Sequence, residues 1–550
     1  MNRTFLFIVL LISSRFSFAQ PPVSTALPRP KLVVGIVVDQ MRWDYLYRFY
    51  DRYTANGFKR MLREGFTCEN TRIDYMPTVT AIGHSTIYTG SVPAIHGITG
   101  NDFIIQATGK KMYCAEDSTV ETVGSTSSAG RMSPRNLLAS TITDELKLAT
   151  NFRAKVIGLS LKDRGSILPA GHAADAAYWF DDATGNFITS TYYRKELPAW
   201  LNAFNQKGWA QKLLKQDWNT LYALNTYVQS TADNNRYEGA FAGAAGPAFP
   251  VSTSGMFAKD YSVIKTTPQG NTLMLELAKA AIENERMGKG GFTDFLAVSF
   301  SATDYVGHKF GVNAIETEDV YLRLDKTLAE LFSYLDQSVG KNAYTVFLTA
   351  DHGAAHNPNF LVDNKIPAGF WSSGDVLKEL NNVLEKKYQY KNIVSSLLNY
   401  QVHLNQPLIT KNGLNEEAIR ADIVHFLKCQ PTISFVADLN ALEKAPLPES
   451  IKSSMVNGYN FKRSGPIFFV LEPAWYSGSA MSTGTSHGTW YGYDAHIPLV
   501  WMGWGIRQGQ TNRPTKMTDI APTLAALLKI QAPNGSVGQP IEEGLLYKSK

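Results

Sequence analysis

Asp39, Asp304, His308, Asp351, His352 and His487 are the residues whose types and spacing most suggest chemistry. "DYVGH" sets Asp304 and His308 four apart, which on a helical turn puts both side chains on one face, able to hold one cation. "ADHG" sets Asp351 beside His352 at the end of an apolar run, and "GTSHGTW" puts His487 in a Gly/Ser/Thr loop with little local core to join. Asp39 closes the run "KLVVGIVVDQ". Mixed carboxylate and imidazole ligands suit zinc, with manganese or iron a poorer match. Three Asp and three His suffice for two metals, and two metals roughly 4 Å apart form a clamp for phosphoryl transfer. Each motif alone has a plainer reading, a surface pair or a helix cap. His172, His356, His403, His425 and His496 show that a histidine here need not be a ligand.

The second feature is "MPTVTAIGHSTIYTGSVPAIHGITGND", Met76 to Asp102, which offers hydroxyls at Thr78, Thr80 and Ser85. After Pro77 it reads as a short loop entering a helix. A nucleophile at a helix N-terminus would meet backbone N–H groups and the positive end of the dipole, and so would the phosphoryl oxygens. A threonine hydroxyl is hardly ionised at neutral pH and needs activation, which a metal could supply. The plain alternative is that Thr78 or Thr80 is only an N-cap.

These residues need a frame to position them. Leu32 to Val38 is a continuous β-branched run, typical of a strand buried on both faces. "AKVIGLSL" (Ala154 to Leu161), "FLAVSFSATD" (ending at Asp304), "YTVFLTADHG" and "IPLVWMGWG" (Ile497 to Gly505) repeat the pattern. Helical periods such as "NTLMLELAKAAIENERMG" and "VYLRLDKTLAELFSYLDQSVG" lie between them. Strands alternating with helices predict an α/β fold with a central, mostly parallel β-sheet flanked by helices. In such sheets ligands bind at the carboxyl ends of strands, where Asp39, Asp304 and Asp351 are expected. Residues 31–550 read as a single catalytic domain. Insertions at about 185–270 and 377–465, over the active-site face, break the alternation.

"MNRTFLFIVLLISSRFSFAQ" has Arg3, an apolar run from Phe5 to Ile12, and small residues at Ser17 and Ala19. Residues 1–19 are therefore expected to be a cleaved signal peptide, with 20–30 a Pro-rich linker and the mature protein periplasmic or secreted. The apolar run is far short of the ~20 residues that span a bilayer, so no membrane span is expected after cleavage. Loss of Arg3 and Arg15 takes the formal charge from +5 to +3. That mild value, with no Lys/Arg run, argues against nucleic acid as the main partner. Cys68 and Cys114 bracket the Thr-rich stretch and are the first pair to consider for a disulfide. Three unpaired thiols, counting Cys429, are the alternative.

Asp39, then "PTVTAIGH…TG…P..HGI.GN", "DYVGH", "ADHG" and "TSHG" in that order resemble the alkaline phosphatase superfamily, near its nucleotide pyrophosphatase/phosphodiesterase branch. "MPTVTAIGHSTIYTGSVPAIHGITGND" and "LSLKDRGSILPAGH" look closer still to the phosphate-irrepressible, PafA-type alkaline phosphatases, and the likeness spans the whole mature chain. The resemblance implies an exported phosphomonoesterase with two zinc ions per chain, working through a phosphothreonine on Thr80. It assigns Asp304, His308 and His487 to one metal, and Asp39, Asp351, His352 and Thr80 to the other. It puts Asn101, Lys162 and Arg164 on the phosphoryl oxygens, with Lys162 in place of a third metal. A monoester dianion carries one more charge than a diester, which an Arg fork and a Lys point charge reward. Apart from the resemblance, "LSLKDRG" reads as an exposed charged turn after a strand. Small phosphate monoesters are the expected partners and a monomer the expected state. The nearest rival is a phosphodiesterase or nucleotide pyrophosphatase on the same metals. An arylsulfatase fits less well, because Cys68-Glu69-Asn70-Thr71-Arg72 lacks the required Pro. A cytoplasmic phosphoglycerate mutase conflicts with the signal peptide. A non-catalytic binding protein would require a lost ligand, and none is lost.

Overall fold

The computed structural model describes residues 27–256 and 260–546. The signal-peptide reading at 1–19 lies outside the described residues, as does the linker up to residue 26.

A ten-stranded mixed sheet forms the body. Its strands are β1 (Leu32–Val38), β2 (Phe66–Cys68), β3 (Thr122–Val123), β4 (Val156–Ser160), β5 (Ala176–Asp181), β6 (Asn186–Ser190), β7 (Asp294–Phe300), β8 (Tyr344–Thr349), β9 (Leu499–Gly503) and β10 (Gly509–Thr511). The order across the sheet is β10-β2-β9-β8-β1-β7-β4-β5-β6-β3. β1 sits near the centre because all of its residues are buried, so both faces must be covered and both edges paired. It runs parallel to β7 and β8, and truncating a side chain such as Ile36 there would cost about 2–5 kcal/mol. The register pairs Val38 with Phe300 and Val37 with Thr349, so the three strands finish level. That alignment brings Asp39, the segment after β7 and Asp351 to one edge.

Five helices matter most to the site: α1 (Thr80–Thr89), α2 (Asp163–Ala170), α3 (Gln269–Asn284), α4 (Ala302–Phe310) and α5 (Ile315–Leu335). α1 is buried along its whole length and packs against α2. α3 and α5 pack on each other and fall where the helical periods lie.

Two sequence expectations change in detail. Asp304 does not end a strand: β7 stops at Phe300, and Asp304 lies in the first turn of α4. β9 joins the sheet antiparallel to β8 rather than continuing the parallel set. The chain passes His487 at the carboxyl edge just before β9, so the strand must run back down the sheet.

Between residues 394 and 471 lies a separate antiparallel sheet of Val394–Leu398, Gln401–Leu404, Ile467–Leu471 and Ile433–Asp438. Ile419, Ile423 and Leu427, spaced along one face of the helix Glu416–Lys428, pack into its own apolar cluster. This unit touches the site region: Asn399 Nδ2 donates to the carbonyls of Thr99 and Asp102, and Arg463 Nη1 donates to that of Gly97. Residues 191–256 carry two short α-helices, Ala199–Gln206 and Trp209–Leu214, a 3-10 turn at Leu224–Thr226 and long irregular stretches. Their Tyr237 carbonyl accepts from Gly484 N in the loop that leads to His487.

The proposed disulfide does not form. Cys68 ends β2 at the antiparallel flank, whereas Cys114 follows the small hairpin behind Asn101, and its N–H donates to the Asn101 carbonyl. Each thiol is fixed in its own buried element, and both are unpaired, as is the exposed Cys429.

Candidate active site

The loop after β1, the start of α4, the end of β8 and the 484–489 loop converge on one buried cluster. Asp39, Asp304, Asp351 and His352 are almost entirely inaccessible to solvent, while His308 and His487 lie toward the outside. Asp39, Asp351 and His352 bring one ligand atom each within 4.8 Å of one another, and so do Asp304, His352 and His487. His352 is common to both sets, and its ring stacks on His487 with centroids 3.5 Å apart. His308 joins through Asp304, with its Nε2 3.2 Å from Asp304 Oδ1.

The imidazoles are aimed in the same way. Nδ1 of His308 donates to the Thr485 carbonyl at 2.9 Å, Nδ1 of His352 to Gly353 at 3.0 Å, and Nδ1 of His487 to Thr78 at 2.7 Å. A carbonyl can only accept, so each Nδ1 carries a proton and each Nε2 is the ring nitrogen turned to the cluster. Metal-binding histidines are commonly oriented this way. Burial pulls His352 and His487 below the usual imidazole range, which keeps them neutral.

The carboxylates carry more charge than the protein balances. Lys162 Nζ lies 2.6 Å from both Asp39 Oδ2 and Asp304 Oδ2, one carboxylate of each set. Burial, with Asp304 and Asp351 beside it, pushes the Asp39 carboxyl well above its ordinary range. Burial also opposes ionisation of Asp304, but His308 and Lys162 outweigh it and hold that carboxyl well below. Asp39 Oδ1 and Asp351 Oδ2 are buried with no hydrogen-bond partner among the described residues. Orphaned buried carboxylate oxygens are costly unless a cation meets them. These two lie 3.7 and 3.6 Å from His352 Nε2, so the donor set fits a metal.

Thr80 is the first residue of α1, and the cap position is the extended Val79, so Thr80 is not a helix cap. Its Oγ1 lies 3.5 Å from His352 Nε2. α1 can approach this closely because residue 83 is glycine; a Cβ there would stand 2.4 Å from the Asp351 carbonyl oxygen. Thr78 faces away: its Oγ1 donates to the Thr489 carbonyl at 2.8 Å, while its own carbonyl holds His487. Ser85 donates to the Ala81 carbonyl within the helix.

Asn101 Oδ1 accepts from Ala81 N at 3.0 Å, which leaves its NH₂ as the donor end for a ligand. Lys162 is the residue just before α2, its side chain making no cap bond, and Arg164 lies in the first turn. Arg164 Nη1 donates to Tyr113 Oη at 3.1 Å, and that hydroxyl donates to Asp163 Oδ1 at 2.6 Å. Arg164 Nε is buried without a partner among the described residues.

Three contributors escaped the sequence reading. Gln40 donates to both Asp351 and Asp304. His84 donates from Nδ1 to the Thr80 carbonyl, bonds Ser299 through Nε2, and lies 3.3 Å from Asp351 Oδ2. Asp494 Oδ2 accepts from Gly488 N, Thr489 N and Thr489 Oγ1, which shapes the His487 loop. Only His84 had a sequence signal, its place one helical turn after Thr80.

Residues 33–494 match the model of the type I phosphodiesterase / nucleotide pyrophosphatase family. A protein of Myroides odoratus named a calcium-transporting ATPase is 56% identical over 533 residues, 96% of this chain and 97% of that one. Among the described residues, no helix is long and apolar enough to cross a membrane. Alkaline phosphatase PafA of Elizabethkingia meningoseptica is 52% identical over 525 residues, 94% of this chain and 95% of that one. The crystal structure of wild-type alkaline phosphatase PafA superposes with a TM-score of 0.93 at 51% identity, covering 95% of this chain and 100% of that one. Full-length identity at this level, on the same fold, means that the chain belongs to the PafA-type alkaline phosphatases, within the type I phosphodiesterase / nucleotide pyrophosphatase family.

Proposed function

We propose that this protein is an exported, two-zinc phosphomonoesterase that transfers the phosphoryl group of a phosphate monoester to Thr80 and then to water. The observation that carries the reading is the meeting of Thr80 Oγ1, at the start of α1, with a cluster whose buried carboxylate oxygens lack partners. Asp304, His308 and His487 would hold one ion, and Asp39, Asp351, His352 and Thr80 the other. Carboxylate and imidazole donors in these numbers favour zinc. When bound, the metals supply the positive charge that a threonine hydroxyl and a departing alkoxide need.

The chain's own residues do the rest. Thr80 Oγ1 attacks phosphorus in line; its bond to phosphorus forms as the ester P–O bond breaks toward the alcohol. Water then displaces Oγ1 and releases inorganic phosphate. Asn101 Nδ2 and the Arg164 guanidinium donate to the non-bridging oxygens. Lys162 adds positive charge beside Asp39 and Asp304. A dianionic monoester gains most from two cationic side chains, which favours monoesters over the diesters of the wider family.

A panel of phosphate monoesters and diesters, run with metal quantification on the same sample, tests this. About two zinc ions per chain and a large monoester preference are expected. A diester preference would make the protein a phosphodiesterase, and fewer than about two bound ions in active enzyme would contradict the bimetallic reading.

A further inference from the structure

Gln40 holds a backbone that glycine or asparagine normally takes: its φ is +64° and it is almost fully buried. From there its N–H donates to Asp351 Oδ1 at 3.1 Å, and its side-chain Nε2 donates to Asp304 Oδ1 at 2.6 Å. One residue therefore binds a carboxylate of each ligand set. A second locally unfavourable choice faces it. Gly307 lies inside α4 between Asp304 and His308, where glycine weakens a helix. A Cβ at that position would stand 2.0 Å from Gln40 Oε1. A left-handed glutamine and a mid-helix glycine each cost stability alone, and together they admit one amide to Asp304. Conflicts of local preference that meet at one contact mark a functional constraint.

We propose that Gln40 is a positioning residue that fixes the two carboxylates of the bimetallic centre relative to each other, and that Gly307 is there to admit its amide. This rests on the bimetallic reading above. A mere turn residue would need no side chain, and glycine would serve at least as well.

Gln40→Gly separates the two roles. It keeps the N–H to Asp351 and relieves the left-handed backbone, but removes the bond to Asp304. Zinc release from purified holoenzyme to a chromophoric chelator is measured with thermal melting of the same samples. Gln40→Gly is expected to fold in the metal-stripped form, with a modest fall in melting temperature from the lost bond to Asp304, and to bind zinc roughly 10–100-fold more weakly, the usual effect of removing a group that orients a metal ligand. Gly307→Ala, which favours the helix but displaces the amide, should weaken zinc in the same direction. Gln40→Asn, suited to the left-handed backbone but one methylene short, serves if the glycine variant fails to fold, with the same expectation. Zinc affinity at the wild-type level in a folded Gln40 variant overturns the proposal. A wild-type protein that binds no zinc overturns the bimetallic reading first, which tells the two failures apart.

Discussion

Replacing Arg164 with alanine gives a quantitative test of substrate choice. Its Nη1 is committed to Tyr113 Oη at 3.1 Å, while Nε has no partner among the described residues. The Nε–Nη2 edge is therefore the fork available to two phosphoryl oxygens. Charge-assisted hydrogen bonds contribute roughly 1.5–3 kcal/mol each, so losing this fork should cost about 3 kcal/mol with a dianionic monoester. At about 1.4 kcal/mol per factor of ten, that is a ~150-fold fall in kcat/KM. A diester monoanion offers less charge to the same fork, and a loss near 1.5 kcal/mol, about tenfold, is expected. The assay compares kcat/KM for an aryl phosphate and its methyl diester in zinc-saturated wild type and variant. Tyr113→Phe, which only loosens the guanidinium, should lose about fivefold on the monoester, the worth of roughly 1 kcal/mol. Equal losses on both substrates in Arg164→Ala would refute the claim that this fork reads the extra charge.

Further outcomes follow from the same geometry. Thr80→Ala should abolish nearly all turnover, whereas Thr78→Ala should keep most of it and lose about 1 kcal/mol of stability with one hydrogen bond; activity assays and urea melts check both. Stripping the metals should lower the melting temperature and abolish turnover, and added zinc should restore both; full activity in metal-free protein would contradict the site. His96 predicts acid sensitivity. Burial holds its folded pKa down to about 3; Ile98 N donates to its Nδ1, and Nε2 lies 3.2 Å from Thr86 Oγ1. Its folded pKa lies below the ordinary 6.5, so its contribution is present above pH 6.5 and is lost as pH falls toward 3. By pH 5.5 wild type should have lost about 1.4 kcal/mol that a His96→Gln variant does not lose, as read from urea midpoints at each pH.

Much of this site could be read in the sequence because its parts sit at strand ends and helix starts with strong local signals. The run Leu32 to Val38 announces a doubly covered strand, so Asp39 must emerge at its end. The four-residue spacing of Asp304 and His308 holds because both lie on α4. Long-range contacts were not legible. No local pattern says that the Thr78 carbonyl orients His487, or that Asn399 braces the segment carrying Asn101. Gln40 carried no sequence signal, since its left-handed backbone and its reach to α4 exist only in the fold. The Cys68–Cys114 pairing failed because proximity in the chain says little about two elements held in separate parts of the core. The direction of β9 depends on where the His487 loop returns to the sheet, which the apolar pattern of Leu499–Gly503 does not encode.

The steric course at phosphorus tests the central claim most directly. A monoester made chiral at phosphorus with oxygen isotopes is turned over by the zinc-loaded enzyme, with the phosphoryl group passed to an acceptor alcohol, and the configuration of the product is read by NMR. Transfer through Thr80 requires two in-line displacements, so net retention is predicted. Inversion would mean a single direct displacement, and Thr80 would not be the nucleophile.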